Sequence, residues 1–583
     1  MKNILAIHAG HDASAAVYRD YDLVSAIQLE RLTRQKSDGH RIPDEAIHSA
    51  LQIASMRPQD VDVVCLTRGY FPARYIRQDV RRDPLGSLYR RITDVTYRVL
   101  GRYEKRRSLT AAQVRQGFAN SVDAFLCDRF RADYCLRLDT HIYFANHHKA
   151  HAYAALFYAE ADGVLAYTAD GGGDDAFYSV SALENGTLTT LIGGESDLHR
   201  PQPVHSLGRA YSCVTSCLGF QRNRHEGKLT GLAAYGAARV FDELTHHFWV
   251  TADGEIASNF TTYADMEAYL SEICSALSKA DAAASIQALL EALIIEAVEI
   301  HLKKTGLRNL AVAGGVFANV RLNKALADLC IVDTCFVFPA MSDEGLVNGA
   351  VLQYLRERDG DTVWIRQRRP LRDVYWGTDA GSFVHCLDNF DGIERISSED
   401  AVKEAARLLA AGQFVGTFFG RMEFGPRALG ARSILAAPMD RRVHDELNRR
   451  LDRTEFMPFA PAVERDNAET VFEIHNGSFY SSRFMTITCN VRAAWRHRIQ
   501  AVVHVDGTAR PQIVDPAIAP KFARILREFA ALTEVPVLIN TSFNVHEEPI
   551  VESPEACVRA LREGRIDAVL TDRGLYKSQS ENR

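Results

Sequence analysis

The feature that most constrains this 583-residue chain is a repeated junction in which an apolar, β-like run breaks on a glycine turn. It occurs at Ile4–Val17 (ILAIHAGHDASAAV), at Val164–Val180 (VLAYTADGGGDDAFYSV) and again from Ala311 (AVAGGVFANVRLNKAL). The first two turns connect strands. The third follows a strand beginning at Asn309 and opens a helix. Such turns leave backbone N–H groups, and at the third a positive helix end, free to face an anion.

Strand, glycine turn, strand is how actin-like ATPases and sugar kinases begin, and three such turns imply an actin-like α/β first domain. The chain is too long for one hydrophobic core, so at least two domains are expected. The polar, basic stretch Thr362–Asp373 (TVWIRQRRPLRD) reads as a linker, with a boundary near 365–390. This divides the chain into domains 1–365 and 390–583. A helix over Ala401–Ala411 and a strand in QFVGTFFG then lead into a second α/β region.

The net charge of -6 gives no global attraction to nucleic acid. Residues 71–107 are the exception, with eleven Arg or Lys against four Asp or Glu. They read as a solvated helical insert or as a lid over an acidic acceptor. The N-terminus lacks a signal-peptide pattern, and no apolar run approaches the ~20 residues of a membrane helix. The eleven cysteines are scattered, and Cys213 and Cys217 lack the histidine partners of a zinc site. A reduced, cytoplasmic protein is the expectation.

The segment Ala145–Tyr158 (ANHHKAHAYAALFY) is helix-compatible and puts His147 and His151 four residues apart, on one face. Two imidazoles at this spacing can share one cation. Asp170, ending a strand in TADGGGDD, and Asp343, after CFVFP, could complete a His/His/Asp set suited to divalent iron, manganese or zinc. Asp343 could instead cap the helix GLVNGAVLQYL.

On HHKAH, TADGGGDD, RHEGKLTGLAAYG, AGGVFAN, PAMSDEG, GRMEFGPRALGARSILAAP, FMPFAP, VDGTARPQIV and VLINTSFNVHEEPIV, the chain resembles the O-carbamoyltransferases of nodulation and antibiotic biosynthesis. It departs from them in QLERLTRQK, where Leu29 precedes Glu30 and the family more often has two glutamates. The resemblance implies an actin-like (ASKHA) first domain similar to the tRNA threonylcarbamoyl-transferring proteins, and a YrdC-like α/β second domain. It also implies two steps. ATP and carbamoyl phosphate form carbamoyl adenylate in the second domain, with magnesium expected beside ATP. The carbamoyl group then passes to a small-molecule hydroxyl acceptor in the first. Carried over, His147, His151 and Asp343 are the metal ligands, with iron(II) as the metal, and Asp170 faces the same ion. Gly314, Gly315 and Asn319 are adenosine-side contacts, and Glu226 and Lys228 line the transfer site.

This chemistry brings several negative charges into one cleft and needs fixed cations. Arg427, Arg432 and Arg510, inside Gly- and Pro-bounded motifs, offer planar forks for phosphate oxygens. Asn540 and Ser542 can hydrogen-bond a planar carbamoyl group. His8 or His11, with Asp12 as a further candidate, can accept the proton of an acceptor hydroxyl. No role is assigned at Asp452 or Arg453. Two rival readings are a tRNA-modifying enzyme, which the acidic net charge disfavours, and a non-catalytic nucleotide-binding regulator. A homodimer is compatible with everything above.

Overall fold

The computed structural model describes residues 1–77, 106–109, 120–174, 176–193, 204–383, 387–397, 400–453 and 457–579. The basic segment 71–107 lies for the most part outside them. The first half holds two five-stranded sheets of identical topology. One orders β3(Asp22–Gln28), β2(Ser14–Arg19), β1(Asn3–His8), β4(Val63–Thr67) and β5(His141–Ala145). The other orders β8(Thr187–Ile192), β7(Ala176–Glu184), β6(Val164–Gly173), β9(Asn309–Ala313) and β10(Thr334–Val337). In each, the first three strands form an antiparallel meander and the last two run parallel to the central one.

Alternation along these strands buries both faces. Ile4 and Ala6 of β1 enter the core between the sheets while Leu5 and Ile7 enter an outer one. On β9, Ala311 and Ala313 point inward, and Leu310 and Val312 to the other outer core. Central parallel strands covered on both sides therefore read as continuous apolar runs.

Two helices fill the space between the sheets. In α1(His147–Tyr158) every residue but Lys149 is buried, and Asn146 caps it by accepting the Lys149 N–H. The other, α2(Leu346–Asp359), follows β10. They meet backbone to backbone at Gly349. A Cβ there would stand 1.6 Å from the Ala150 carbonyl oxygen and 2.3 Å from its carbon.

The second half is built on an eight-stranded mixed sheet with its own core. Its spatial order is β11(Ile393–Ser397), β18(Leu575–Ser578), β17(Ala568–Thr571), β12(Val415–Phe418), β13(Ser433–Ala436), β16(Val537–Ser542), β14(Ala460–Glu464) and β15(Gln512–Val514). The two halves interpenetrate. The helix Asn476–Ser482 packs on β10, with Ser481 Oγ accepting Val337 N–H at 3.0 Å and donating to Cys335 O at 2.8 Å. Tyr480, Phe484 and Met485 complete the core between the two first-half sheets.

The stretch read as a linker is a strut instead. Asp361–Gln367 is helical, with Trp364 fully buried and its indole N–H donated to Leu352 O at 2.9 Å. Arg368 donates to the carbonyls of Leu156, Ala159 and Ala161. That guanidinium is spent on the carbonyls around the end of α1 rather than on water. Among the described residues no helix is long and apolar enough to cross a membrane.

Gly349→Ala is expected to destabilise the first half by at least ~2 kcal/mol, because the new methyl must push α1 and α2 apart. Gly315→Ala, whose Cβ would meet nothing nearer than Ser342 Oγ at 3.6 Å, should be near neutral. Calorimetric melting of both variants checks this.

Candidate active site

The glycine turns bring strand ends together at the top of α1. His147 and His151 sit on its first turns, Asp170 near the end of β6, and Asp343 in a 3-10 turn between β10 and α2. His147 Nε2 lies 2.6 Å from Asp170 Oδ2 and 3.7 Å from Asp343 Oδ1. His151 Nε2 lies 3.5 Å and 3.7 Å from the same two atoms. All four ligand atoms fall within 4.8 Å of one another. Asp343 does not cap α2: the N-cap position is Gly345, with no side-chain cap.

The supports are equally specific. Asp174 accepts the His147 backbone N–H at 2.8 Å and is held by Arg68 at 3.1 Å. Gly173 packs so closely that a Cβ would stand 2.3 Å from the His147 ring. His8, at the end of β1, places Nε2 3.8 Å from Asp343 Oδ2, while its Nδ1 meets Thr67 Oγ1 at 2.6 Å. His148 hydrogen-bonds Thr168 Oγ1 and Ala176 O, with its Nε2 also 3.6 Å from Asp170 Oδ1.

Electrostatically the cluster calls for a cation. Burial alone would depress the His147 imidazole, but Asp170 and Asp343 outweigh it and lift its pKa to about 9. The same carboxylates are held below the usual carboxylate range, against burial, chiefly by neighbouring histidines. His8 and His148, where burial dominates, are pushed down to about 4. His151 Nε2 is buried with no hydrogen-bond partner. A buried imidazole nitrogen so placed, beside two carboxylates, suits a coordinated divalent metal. A donor set of two imidazoles and two carboxylates fits a first-row metal such as iron(II), manganese or zinc.

A second feature lies at the seam of the two halves. A cavity of about 280 Å³ is lined by Lys36, Arg224 and Lys228 from the first half and Arg427, Arg453 and Arg510 from the second. Among the described residues Glu547 is the one carboxylate on its wall, and Asn540 and Ser542 line it too. Asn540 Nδ2 donates to Gln512 Oε1 at 2.6 Å and to Ala428 O at 3.3 Å, leaving a buried Oδ1 with no partner. Arg453 donates to Thr541 Oγ1, Ser542 Oγ and Asn544 Oδ1. A cavity of about 610 Å³ adjoins and shares Thr230, Val320, Met457 and Pro458.

The first glycine turn joins the two features: His8 Nε2 meets His11 O at 2.9 Å, and His11 Nε2 meets Asn223 O at 3.3 Å, next to Arg224. That turn is partly occupied by its own chain, with Ala13 N–H donated to Asp38 O and Gly10 O accepting His40 N–H. Burial raises the Asp12 pKa to about 6, against the pull of His11.

The structure therefore gathers His147, His151, Asp170 and Asp343 at one point, and Lys228, Arg427, Arg510, Asn540 and Ser542 at another. Arg432 joins neither. It is fully buried, donates to the carbonyls of Phe419, Ala431, Thr378 and Gly420, and lies on the Phe418 ring at 4.2 Å. Its expected phosphate role is replaced by bracing the loop that carries Arg427. Gly314 lies against β6, where a Cβ would stand 2.2 Å from Ala169 O, and Gly315 follows it. Asn319 exchanges amide hydrogen bonds with Gln287 and caps the next helix. Lys36, Arg224 and Arg453 are cavity residues that sequence reasoning left without a role. Their signal was positive charge inside the motifs QLERLTRQK and RHEGK, and just after Asp452.

A model of the carbamoyltransferase N-terminus matches residues 3–352, and one of the carbamoyltransferase C-terminus matches residues 406–577. The chain is 31% identical to nodulation protein NolNO of Sinorhizobium fredii, over 98% of this chain and 79% of that one. It is 33% identical to nodulation protein NolO of Bradyrhizobium diazoefficiens, over 73% and 77% respectively. Among solved structures, HypF of T. kodakarensis aligns with 61% of this chain and 48% of its own, at 14% identity and a TM-score of 0.35. With both family regions present in order and the cationic and His/Asp clusters falling inside them, the chain belongs to the carbamoyltransferase family and is an enzyme of carbamoyl transfer.

Proposed function

We propose that this enzyme is an ATP-dependent O-carbamoyltransferase with two reaction centres. The seam cavity would hold carbamoyl phosphate and ATP while, with one water consumed, they form carbamoyl adenylate and release phosphate and pyrophosphate. The His/Asp cluster would serve transfer of the carbamoyl group to a small-molecule hydroxyl, with AMP leaving. The observation that carries this is the convergence of six cationic side chains from both halves on one small cavity. Bringing like charges together costs Coulomb energy, which a bound polyanion would offset. Arg427, Arg453 and Arg510 would fork the phosphate oxygens while Lys36, Arg224 and Lys228 close from the other side. The unpartnered Asn540 Oδ1 would accept a carbamoyl N–H, a contact that acetyl phosphate cannot make.

At the second centre, His147, His151, Asp170 and Asp343 would hold the metal, whose chemistry is to polarise the carbamoyl carbonyl. Arg68 and Asp174 orient the His147 helix end. His11 or Asp12, on the first glycine turn, would take the acceptor proton. The duplicated meander-plus-parallel sheets support an actin-like first domain, with the YrdC-like second domain and the 1–365 and 390–583 division resting on the same reading. Gly314, Gly315 and Asn319 would then lie on the nucleotide side of the transfer centre. The nodulation relatives point to a small hydroxylated acceptor, and the net charge of -6 is in keeping with that.

Two variants separate the centres. Arg510→Ala should lower carbamoyl-phosphate-dependent pyrophosphate release from ATP by ~10²–10³-fold, the loss typical of one electrostatic contact to a developing charge. His151→Ala should leave that release within a few fold. It should reduce bound metal from about one ion per chain to near none, read by elemental analysis, and abolish transfer to acceptor. Pyrophosphate release unaffected by Arg510→Ala would remove the seam cavity from the reaction.

A further inference from the structure

Glu547 stands out among the residues of the seam. Among the described residues it is the one carboxylate facing six cations, and its backbone is left-handed, at φ 62°. That conformation is easy for glycine and unfavourable for glutamate, so the side chain must supply something in return. Its two oxygens are divided between groups of the other half: Oε2 lies 2.7 Å from Arg224 Nη2, and Oε1 accepts from His225 Nε2 at 2.8 Å. His546 Nε2 is 3.5 Å from Oε1. Arg224 also donates from Nη1 to Gln221 Oε1 at 3.2 Å, and its Nε is buried with no hydrogen-bond partner. The Glu547 side chain is about one-third exposed and sits in a turn rather than in a strand.

We propose that Glu547 is a built-in stand-in for a phosphate group: its carboxylate occupies Arg224 and His225 across the seam until a polyphosphate takes its place. The proposal rests on reading the cavity as the polyphosphate site and adds what that reading lacks, a means of letting the product go. A pocket lined by so many cations would bind pyrophosphate tightly and release it slowly unless something competes for its donors. A tethered carboxylate competes for two of the donors, holds them in position in the empty site, and takes them back as pyrophosphate leaves. Glu547 acts through Arg224 and His225 and is a positioning residue.

The test uses the full chain with Glu547→Gln, which removes the charge and keeps the shape, and Glu547→Gly, which removes both and suits the left-handed backbone. Inorganic pyrophosphate binding is measured by calorimetry without and with magnesium, alongside KM and kcat for ATP. Both variants should bind pyrophosphate about tenfold more tightly than the wild type without magnesium. KM for ATP should fall, and kcat should fall with it as release slows. Glu547→Gly should melt no lower than the wild type. Unchanged or weaker pyrophosphate binding in both variants overturns the proposal. So does tightening in one variant alone, which would make shape rather than charge the cause. Weakening confined to the magnesium experiment would make Glu547 a cation ligand and also overturns it. A wild type that binds no pyrophosphate at all brings down the reading of the cavity itself.

Discussion

The contact on which the rest of the molecule depends is the backbone approach of α1 to α2 at Ala150 and Gly349. The two helices are sandwiched between the sheets, and each carries members of the His/Asp cluster at or just before its start. His147 and His151 belong to α1, and Asp343 lies three residues before α2. With any side chain at position 349 the helices would separate, and the imidazoles would part from the carboxylate. The same economy recurs at Gly173, whose missing Cβ leaves room for the His147 ring. Close-packed glycines, rather than long polar tethers, hold the four ligand atoms together.

A second constraint is electrostatic. The seam gathers three cations from each half around a cavity of about 280 Å³, so docking the halves works against their mutual repulsion. Neutral acceptors relieve part of it: Thr541, Ser542 and Asn544 receive the Arg453 guanidinium. Apolar interpenetration opposes the rest, with Tyr480, Phe484 and Met485 of the second half buried in the core of the first. The architecture thus fixes an electropositive hole in a rigid frame.

Much of the His/Asp cluster was legible in advance, because its code is local. The i, i+4 spacing of His147 and His151 and the strand-end positions of Asp170 and Asp343 survive reading one segment at a time. The cavity was legible only in part. Arg427, Arg510, Asn540 and Ser542 stood out because they lie in dense Gly/Pro-bounded motifs. Arg432 lies in the same motif, yet its donors go to four carbonyls, and nothing in FGPRALGARS distinguishes the bracing arginine from the one facing the cavity. Arg453, set apart from any motif, carried no signal beyond its charge. TVWIRQRRP looked like a linker because its arginines are conspicuous, while the single tryptophan that anchors it is not.

By itself the sequence determined the periodic elements, the three glycine turns and the inventory of chemistry-bearing residues in each half. These depend on neighbours a few positions apart and on whether a run can bury its faces. Tertiary structure alone decided which of those residues share a space. The seam cavity joins Lys36 to Arg510 and Arg224 to Glu547, groups hundreds of positions apart whose proximity follows from how two cores pack. Side-chain identity sets what a group can do. Its partners, and hence its charge state and its work, are set by packing that no local pattern encodes.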